Sequence, residues 1–194
     1  MTIDSSSVKG KIVNAAWELF REKGYDDTTV DDIIRLSGTS KGSFYYHFES
    51  KDAMLGTLAV MLDEQYERLE GEIDPEMNSY DKLLVLNYEV HYFMEDKISL
   101  DLLASLYSTQ LTAKGDRNLL DQNRKYYRLV ASIVEEGQRR GQITGEKSIQ
   151  EITKYYSLCE RALVSDWCLN RGSYSLSAYS KEYMPVMMEH FRQV

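Results

Sequence analysis

Short polar side chains that can form hydrogen bonds are concentrated between positions 39 and 51 of the chain. Serine and threonine hydroxyls can bond to base edges, and lysine ammonium groups can pair with phosphate. Tyrosine hydroxyls and a histidine imidazole add further hydrogen-bonding groups along the same stretch. From Arg35 to Lys51 the charged residues are Arg35, Lys41 and Lys51 on the basic side and Glu49 on the acidic side. This chemistry suits recognition of a polar, phosphate-bearing surface such as a nucleic acid.

The overall charge of the chain argues in the opposite direction. The formal net charge is −8 at pH 7, and the first fifty residues hold six basic and eight acidic side chains. Composition alone therefore does not indicate a nucleic-acid partner. Four of the acidic residues, Asp26, Asp27, Asp31 and Asp32, surround the expected start of a helix, where they would stabilise its N-terminus. Only the local placement of charge, between Arg35 and Lys51, supports a nucleic-acid-binding surface.

Other kinds of site find little support in the sequence. The three histidines, His47, His91 and His190, are scattered, and no cysteine or histidine lies at zinc-ligand spacing. No nucleophile–base pair, paired acidic motif or glycine-rich phosphate loop is visible. Cys159 and Cys168 are nine residues apart in a helical pattern, so they point apart and are expected to be reduced. The sequence predicts no metal, no bound cofactor and no enzymatic activity.

Hydrophobic spacing is helical along nearly all of the 194 residues, and only two prolines occur. We predict an all-α fold of about nine helices, with an N-terminal three-helix unit containing a helix-turn-helix followed by a larger helical bundle. The expected domains are 1–50, with the helix-turn-helix at 29–48, and 51–194, with 51–70 as the linking helix. Further helices are predicted at 80–95, 98–112, 117–140, 148–170 and 176–192, the last kinked or restarted by Pro185.

Local signals define the first helices. Lys23 and Gly24 form a stop after the first helix, and Gly38 allows a sharp turn after the second. Thr29 and Asp32 have the spacing of a capping box, and Ser50 can cap the linking helix. Two short helices joined by a turn, the second with a polar outer side, are typical of a helix-turn-helix that enters the major groove.

In these residues the chain resembles the TetR-type (TetR/AcrR) family of bacterial regulators. The matching residues run from Ala16 to Leu55 and include Leu19-Phe20, Gly24-Tyr25 and the segment GTSKGSFYYHF at 38–48. The resemblance implies a homodimer that binds a palindromic operator in double-stranded DNA. It also implies a C-terminal domain that binds a small-molecule effector and then releases the DNA.

The resemblance assigns DNA contacts residue by residue. Phosphate contacts are expected from Thr29 and Lys51, base reading from Thr39, Ser40, Lys41 and Ser43, close backbone approach at Gly42, and mainly backbone contacts from Tyr45, Tyr46 and His47. An inward position of Tyr46, packed against the first helix, is an equal alternative because adjacent helical residues diverge by about 100°.

The C-terminal part is rich in tyrosine, and two sets of residues at helical spacing are candidates there. A ligand pocket is expected to be lined by Leu84, Tyr88, His91, Tyr126, Val130, Tyr155, Cys159 and Ala162. A dimer interface is expected from Ile152, Tyr156, Leu163, Trp167, Tyr179, Tyr183, Val186, Met187 and His190. For any single aromatic residue, an ordinary core position is the simpler interpretation.

The favoured hypothesis is a cytoplasmic, ligand-responsive regulator, most simply a repressor, since no secretory signal or membrane span is visible. Activation stays open, as do the effector and the operator. Two rival hypotheses are a helical enzyme or carrier whose N-terminal unit only packs, and a protein-interaction module. DNA affinity that falls steeply with salt would separate the first hypothesis from both rivals.

Overall fold

The computed structural model describes Asp4, residues 6–112 and residues 118–193, apart from the side chain of Asn118. Gly115, expected to separate two helices, lies outside the described residues. The described residues form nine α-helices: α1 (Val8–Lys23), α2 (Val30–Ser37), α3 (Lys41–His47), α4 (Gly56–Glu72), α5 (Ser79–Lys97), α6 (Leu100–Thr112), α7 (Lys125–Arg139), α8 (Ile149–Leu169) and α9 (Leu176–Met188). The all-α prediction is confirmed.

The helices divide into two compact units. Unit 1 comprises the described residues of Met1–Leu62 and Ser99–Leu120, and unit 2 those of Asp63–Ile98 and Asp121–Val194. Unit 1 therefore contains α6 and the start of α4 in addition to the three-helix unit expected at 1–50. The division by packing does not follow the predicted boundary at residue 50, because the 3-10 turn Asp52–Leu55 packs against α6.

The capping signals of the first three helices are confirmed. The Thr29 hydroxyl accepts a hydrogen bond from the Asp32 amide at 3.2 Å, and the Asp32 carboxylate accepts one from the Thr29 amide at 3.0 Å. Gly38 has a left-handed backbone conformation with φ +64°, which a side chain would strain, and it turns the chain from α2 towards α3. Lys23 of α1 pairs with Asp32, which helps to fix the angle between α1 and α2.

Three helix boundaries differ from the predictions. The linking segment begins as a 3-10 turn, Asp52–Leu55, and becomes α-helical only at Gly56, although Ser50 accepts a capping bond from Ala53 as expected. The helix predicted at 117–140 begins at Lys125, after a 3-10 turn at Asn118–Leu120. α9 continues through Pro185 to Met188 without restarting, and residues 189–191 form a 3-10 turn.

Unit 2 is held together by apolar faces of α5, α7, α8 and α9. Its interior contains Leu83, Leu86 and Val90 of α5, Val130 and Val134 of α7, and Leu163 and Val164 of α8. Gly137 of α7 is required by close packing, since a Cβ atom there would lie 2.6 Å from the Cδ1 atom of Ile143. The two cysteines of α8 are free thiols, as expected from their spacing.

Several features are absent from the described part of the chain. Residues 6–112 and 118–193 contain one isolated β-bridge, between Ile143 and Arg192, and no strand. No helix among them is long and apolar enough to cross a bilayer. The same residues contain no group of three or more His, Cys, Asp or Glu side chains that could hold a metal ion.

Candidate nucleic-acid interface and interior of unit 2

Helix α3 has one buried side and one exposed side. Phe44 is completely buried, and Phe48, which follows the helix, packs with it at a ring-centroid distance of 6.0 Å. Lys41, Gly42, Tyr45 and the remaining polar residues of α3 lie towards solvent or are half-buried. Two aromatic residues four positions apart thus orient the helix, and the residues predicted to read DNA occupy its outer side.

Hydroxyl groups organise the turn before α3. Ser40 is the N-cap, and its hydroxyl accepts a bond from the Ser43 amide at 3.1 Å. The hydroxyls of Ser37 and Thr39 lie 2.8 Å apart and hydrogen-bond across the turn. These side chains therefore fix the start of the helix, and Ser40 and Ser43 remain at its exposed end. A Cβ atom at Gly42 would contact only the Ser40 hydroxyl, at 3.8 Å, so the backbone there is open to an approaching partner.

The aromatic residues at the end of α3 settle the orientation that the sequence left open. Tyr46 is 85% exposed, so the packed alternative for this side chain is wrong. Tyr45 is 49% exposed and packs one edge of its ring against Phe44. His47 is half-buried and contacts the Tyr46 ring at a centroid distance of 4.9 Å. Both tyrosine hydroxyls are thus on the outer side of α3.

The charges around α3 are partly compensated within unit 1. The Lys41 ammonium lies 3.6 Å from the Asp31 carboxylate of α2, and both side chains are largely exposed. Arg35, at the end of α2, bonds to Asp32 at 3.2 Å but leaves most of its guanidinium in solvent. Hydrogen bonds from Lys23 and Thr29 lower the pKa of the Asp32 carboxyl below its usual range. The acidic residues thus hold basic ones in place at this surface.

Two residues predicted to contact phosphate already have intramolecular roles. The Thr29 hydroxyl is engaged in the capping box with Asp32. The Lys51 ammonium donates to the Tyr25 carbonyl at 2.7 Å and lies 4.2 Å from the centroid of the Tyr25 ring. Lys51 therefore fixes the loop between α1 and α2. The sequence did not point to Lys9, whose ammonium lies 5.7 Å from the Phe48 ring centroid and places another exposed cation beside α3.

The residues predicted to line a ligand pocket do not all face the interior of unit 2. His91, Tyr126, Val130 and Cys159 are buried, and Leu84 and Tyr88 are half-buried. Tyr155 and Ala162 are exposed on α8, so their assignment to a pocket is wrong. The cause is a rotation of about 100° around α8, because its next residue, Tyr156, points inward instead.

The predicted dimer residues divide in the same way. Ile152, Tyr156, Leu163 and Trp167 are buried within their own protomer, and the Tyr156 hydroxyl donates to the Leu83 carbonyl at 2.9 Å. Side chains enclosed in this way cannot form a surface, so their assignment to an interface is wrong. The residues on α9 and the following 3-10 turn, in contrast, lie at or near the surface: Tyr179, Tyr183, Val186, Met187 and His190.

The outer side of α8 carries apolar residues that the sequence interpretation missed. Leu158 is 54% and Leu169 is 82% exposed, and Tyr155 and Ala162 lie on the same side of the helix. Positions 155, 158, 162 and 169 follow helical spacing, so a second apolar stripe on α8 was the available signal. Because α8 also has an inward apolar stripe, the sequence alone could not tell which of the two faces the core.

The interior of unit 2 contains a cluster of polar side chains. Glu160 of α8 is only 6% exposed, and Asn87 of α5 donates to its carboxyl at 3.3 Å. Burial raises the pKa of Glu160 to about 7 and lowers that of His91 to about 3. The His91 Nδ1 atom is hydrogen-bonded to the Ser180 hydroxyl. The sequence interpretation did not include Glu160 among the candidate residues. The available signal was a charged residue between Tyr156 and Leu163 on an otherwise apolar stripe of the helix.

With this geometry established, comparisons with known proteins become informative. The model of bacterial regulatory proteins of the tetR family matches residues 12–58, which include α1, α2, α3 and the start of α4. This N-terminal part of the chain is thus similar to the tetR family of bacterial regulatory proteins. The all-α fold of the chain is that of solved TetR-type structures along nearly its whole length.

Curated relatives match the same N-terminal region of the chain. YvdT of Bacillus subtilis, an uncharacterized HTH-type transcriptional regulator, is 39% identical over 69 residues, which cover 33% of this chain and 36% of YvdT. IcaR of Staphylococcus aureus, a negative transcriptional regulator of the biofilm operon icaADBC, is 51% identical over 47 residues, or 24% of this chain and 25% of IcaR. The chain thus spans between a quarter and about a third of these relatives. Both are named as transcriptional regulators.

Solved structures match the chain more completely but at lower identity. FadR from Bacillus subtilis in complex with stearoyl-CoA has a TM-score of 0.72 and 21% identity, covering 94% of this chain and 98% of FadR. FadR from Thermus thermophilus in complex with lauroyl-CoA has a TM-score of 0.72 and 20% identity, with 97% of each chain covered. At this identity the similarity establishes the shared fold.

The contact between Lys41 and Asp31 gives a prediction for the candidate nucleic-acid interface. Replacing Asp31 with asparagine removes a negative charge beside α3 and leaves Lys41 free to pair with phosphate. We expect DNA affinity to increase about threefold at low salt, an effect that salt screens. Titration by fluorescence anisotropy at two salt concentrations measures it. Glu18→Gln, an equal charge change at an exposed site on α1, is the control, and an equal increase in both variants would contradict the local explanation.

Proposed function

We propose that this chain is a transcriptional regulator, not an enzyme, that binds a palindromic DNA operator as a homodimer in the cytoplasm. It acts as a repressor, and a small-molecule effector held in unit 2 releases it from DNA. The observation that carries the proposal is the outward polar side of α3, with Ser40, Lys41 and Ser43 at one end and Tyr45 and Tyr46 at the other. IcaR, named a negative regulator, supports repression. The FadR structures in complex with acyl-CoA support regulation by a small-molecule ligand.

The proposed release depends on the spacing of two α3 helices in a dimer. Each copy of α3 reads one half-site, and the two half-sites must be about 34 Å apart to lie in successive major grooves. α4 contributes residues to both units, so a ligand that favours another position of α4 changes this spacing. The ligand achieves this only by binding one arrangement more tightly than the other, and about 1–3 kcal/mol of coupling is typical.

Selection of bound fragments from genomic DNA tests the proposed function. We expect enrichment of an inverted repeat, bound with an affinity that falls steeply with salt. Lys41→Ala should weaken binding and reduce the slope of log affinity against log salt by about 1, because one phosphate contact is lost. Tyr45→Ala should weaken binding about tenfold without changing helicity.

Lys147→Ala is the control for that experiment, since Lys147 is an exposed lysine of unit 2. It should bind DNA as the unmodified chain does. Unchanged DNA binding in both Lys41→Ala and Tyr45→Ala would overturn the assignment of α3 as the reading surface. Absence of salt-dependent DNA binding in the unmodified chain would favour one of the rival functions.

The proposed dimer uses the exposed apolar residues of α8 and α9. Leu158, Leu169 and Val186 are 54%, 82% and 71% exposed, and Tyr155 and Tyr183 add aromatic surface. Because α8 and α9 pack together in unit 2, their exposed sides can join those of a second copy in a symmetric four-helix interface. In this proposal the exposed apolar residues of α8 form the dimer contact, in place of the buried α8 residues that the sequence predicted for it.

Substitution of Leu158 with aspartate tests the interface. A charge in the centre of an apolar interface loses its hydration without gaining a partner, so we expect the dimer dissociation constant to rise at least a hundredfold, about 3 kcal/mol. Sedimentation equilibrium measures the change. Leu111→Asp in α6, at a leucine of unit 1 that is 82% exposed, should leave the mass unchanged. Dissociation by Leu111→Asp and not by Leu158→Asp would place the interface elsewhere.

A further inference from the structure

The polar cluster inside unit 2 contains hydrogen-bond acceptors that the surrounding residues leave available. Asn87 is 1% exposed, and its Oδ1 atom has no hydrogen-bond partner among the described residues. The Nδ2 atom of the same amide lies 3.3 Å from Glu160 Oε1 and 3.4 Å from His91 Nε2. Because a buried polar atom without a partner is costly, such atoms are rare and call for an explanation.

Among the described residues, the Glu160 carboxyl forms no salt bridge, although the charge of Arg161 acts on it. Within the described part of the chain, no lysine or arginine forms an ion pair with Glu160, although nearly all of its surface is buried. A buried carboxylate is stable only when a cation or several donors compensate it. Burial accordingly raises its pKa to about 7, so that the carboxyl is close to the point where it can exist in either form at neutral pH. A positive charge beside it would favour the ionised form.

Tyrosine side chains lie near the carboxyl on α7 and on α8 itself. The Tyr126 hydroxyl of α7 donates to the Ser157 hydroxyl at 3.0 Å and the Tyr156 hydroxyl of α8 donates to the Leu83 carbonyl at 2.9 Å, and both phenols are close enough to Glu160 to influence its pKa. The rings of Tyr66 and Tyr126 lie 4.9 Å apart between centroids, and those of Tyr126 and Tyr127 lie 4.8 Å apart. The faces of aromatic rings carry negative potential and attract organic cations. A carboxyl, an amide oxygen and several tyrosines therefore converge in one buried place.

We propose that the effector site of unit 2 takes an organic cation, whose ammonium or amidinium group binds between Glu160 and the Asn87 Oδ1 atom with its apolar part among the tyrosines. This inference rests on the proposed function in one respect: it takes the ligand bound in unit 2 to be the effector that releases the DNA. It assigns to this chain a ligand class opposite in charge to the acyl-CoA molecules in the FadR structures. His91 does not compete with the ligand, because burial keeps its imidazole neutral.

Matched probes of equal size test the charge preference. The probes are phenethylamine, phenethyl alcohol and phenylacetate, together with the corresponding naphthyl set, titrated calorimetrically into the full chain at pH 7.5. We expect each amine to bind at least tenfold more tightly than its alcohol, and the carboxylates not to bind. Lauroyl-CoA is the competing probe. Tight lauroyl-CoA binding without an amine preference, or absence of amine binding, would overturn the proposal.

Glu160→Gln separates the carboxyl from the rest of the cluster. The variant keeps the shape and the hydrogen-bonding capacity of the side chain, so we expect amine affinity to fall at least tenfold while alcohol affinity stays within twofold. Glu135→Gln, on the exposed side of α7, is the matched control and should bind the amine normally. Unchanged amine affinity in Glu160→Gln, with a circular dichroism spectrum showing a folded chain, contradicts the assignment.

The pH dependence of amine binding provides an independent measurement. Because Glu160 must lose its proton to pair with the amine, we expect affinity to increase from pH 6 to pH 8, with a proton released on binding. The groups that face Glu160 do not titrate in this range: the pKa of His91 is lowered, and those of Tyr126, Tyr156 and Cys159 are raised by burial. Tyr66 and Arg161 are the other titratable or charged groups that act on this cluster. A flat profile would contradict the role of Glu160.

DNA binding without any probe distinguishes the two proposals. The Glu135→Gln control, at an exposed position of α7, should bind the selected DNA as the unmodified chain does. If DNA binding is intact but no amine binds, the ligand class is wrong and the regulator function stands. If the amine binds but no DNA does, the site exists and the function assigned to unit 1 is wrong.

Discussion

Replacing Phe44 with alanine is expected to destabilise the three-helix part of unit 1 by about 3–5 kcal/mol and to abolish DNA binding. Phe44 is completely buried, and it packs against Phe48 with ring centroids 6.0 Å apart. α3 has only seven residues, too few to be helical in isolation, so the burial of this ring is what keeps the helix formed and oriented. Stability is lost because the phenyl ring no longer contributes its free energy of transfer from water to the core, and because its removal leaves a cavity.

Hydrogen exchange resolved by peptides measures this effect in each unit separately. We expect peptides within α2 and α3 to lose protection in Phe44→Ala, while peptides of α7 and α8 in unit 2 keep it. Tyr46→Ala on the same helix is the control, because its side chain is 85% exposed. It should change stability by less than about 0.5 kcal/mol and still weaken DNA binding. Equal protection in Phe44→Ala and the unmodified chain would show that this ring does not hold α3.

The start of the chain was predictable because its signals are local. A capping threonine, a carboxylate three residues later and a glycine that permits a left-handed turn act within a few residues of one another, and Thr29, Asp32 and Gly38 do so in the structure. Phe44 and Phe48 are four residues apart, a spacing that places two side chains on the same side of a helix, and both are buried. Lys51 was recognised as a cation of this unit, but its bond to the Tyr25 carbonyl depends on residues 26 positions apart, which spacing does not reveal.

The faces of α8 were not predictable from the same kind of pattern. Tyr155 and Tyr156 are identical in type and differ only by one position, yet one is exposed and the other is completely enclosed. Both sides of the helix carry apolar stripes, so periodicity gives two equally good solutions. The choice is made by packing against α5 and α7, where the Tyr156 hydroxyl finds the Leu83 carbonyl. Tertiary contacts, and not the local sequence, decide the orientation.

Glu160→Gln is expected to make the stability of unit 2 sensitive to acid between pH 6.5 and pH 4.5. Burial raises the pKa of Glu160 from 4.5 to about 7, so the folded chain holds a proton that the unfolded chain has released. The contribution of Glu160 to stability is fully present below pH 4.5 and is lost as the pH rises through 7. His91 has the opposite effect. Burial lowers its pKa from 6.5 to about 3, so between pH 3 and pH 6.5 the unfolded chain binds a proton at His91 and the folded chain does not. The His91 contribution is therefore lost as the pH falls from 6.5 to 3.

Between pH 4.5 and pH 6.5, the contributions of Glu160 and His91 to the free energy of unfolding change with pH in opposite directions. Each changes by about 1.4 kcal/mol per pH unit, so they nearly cancel in the unmodified chain. Glu160→Gln removes one of them, and the free energy of unfolding should fall by about 3 kcal/mol over this range relative to the unmodified chain. Urea denaturation at four pH values measures it, with Trp17→Phe as the background so that Trp167 of unit 2 is the only tryptophan.

His91→Asn supplies the opposite test of the same balance. Without the imidazole, the Glu160 slope remains alone, and unit 2 should become more stable as the pH falls from 6.5 to 4.5. Glu135→Gln, an exposed carboxyl on α7, should leave the profile nearly flat. If both interior variants retain a flat profile, then neither side chain is enclosed as the structure places it. If only His91→Asn does so, the carboxyl reaches solvent, and the cation site proposed around it loses its physical basis.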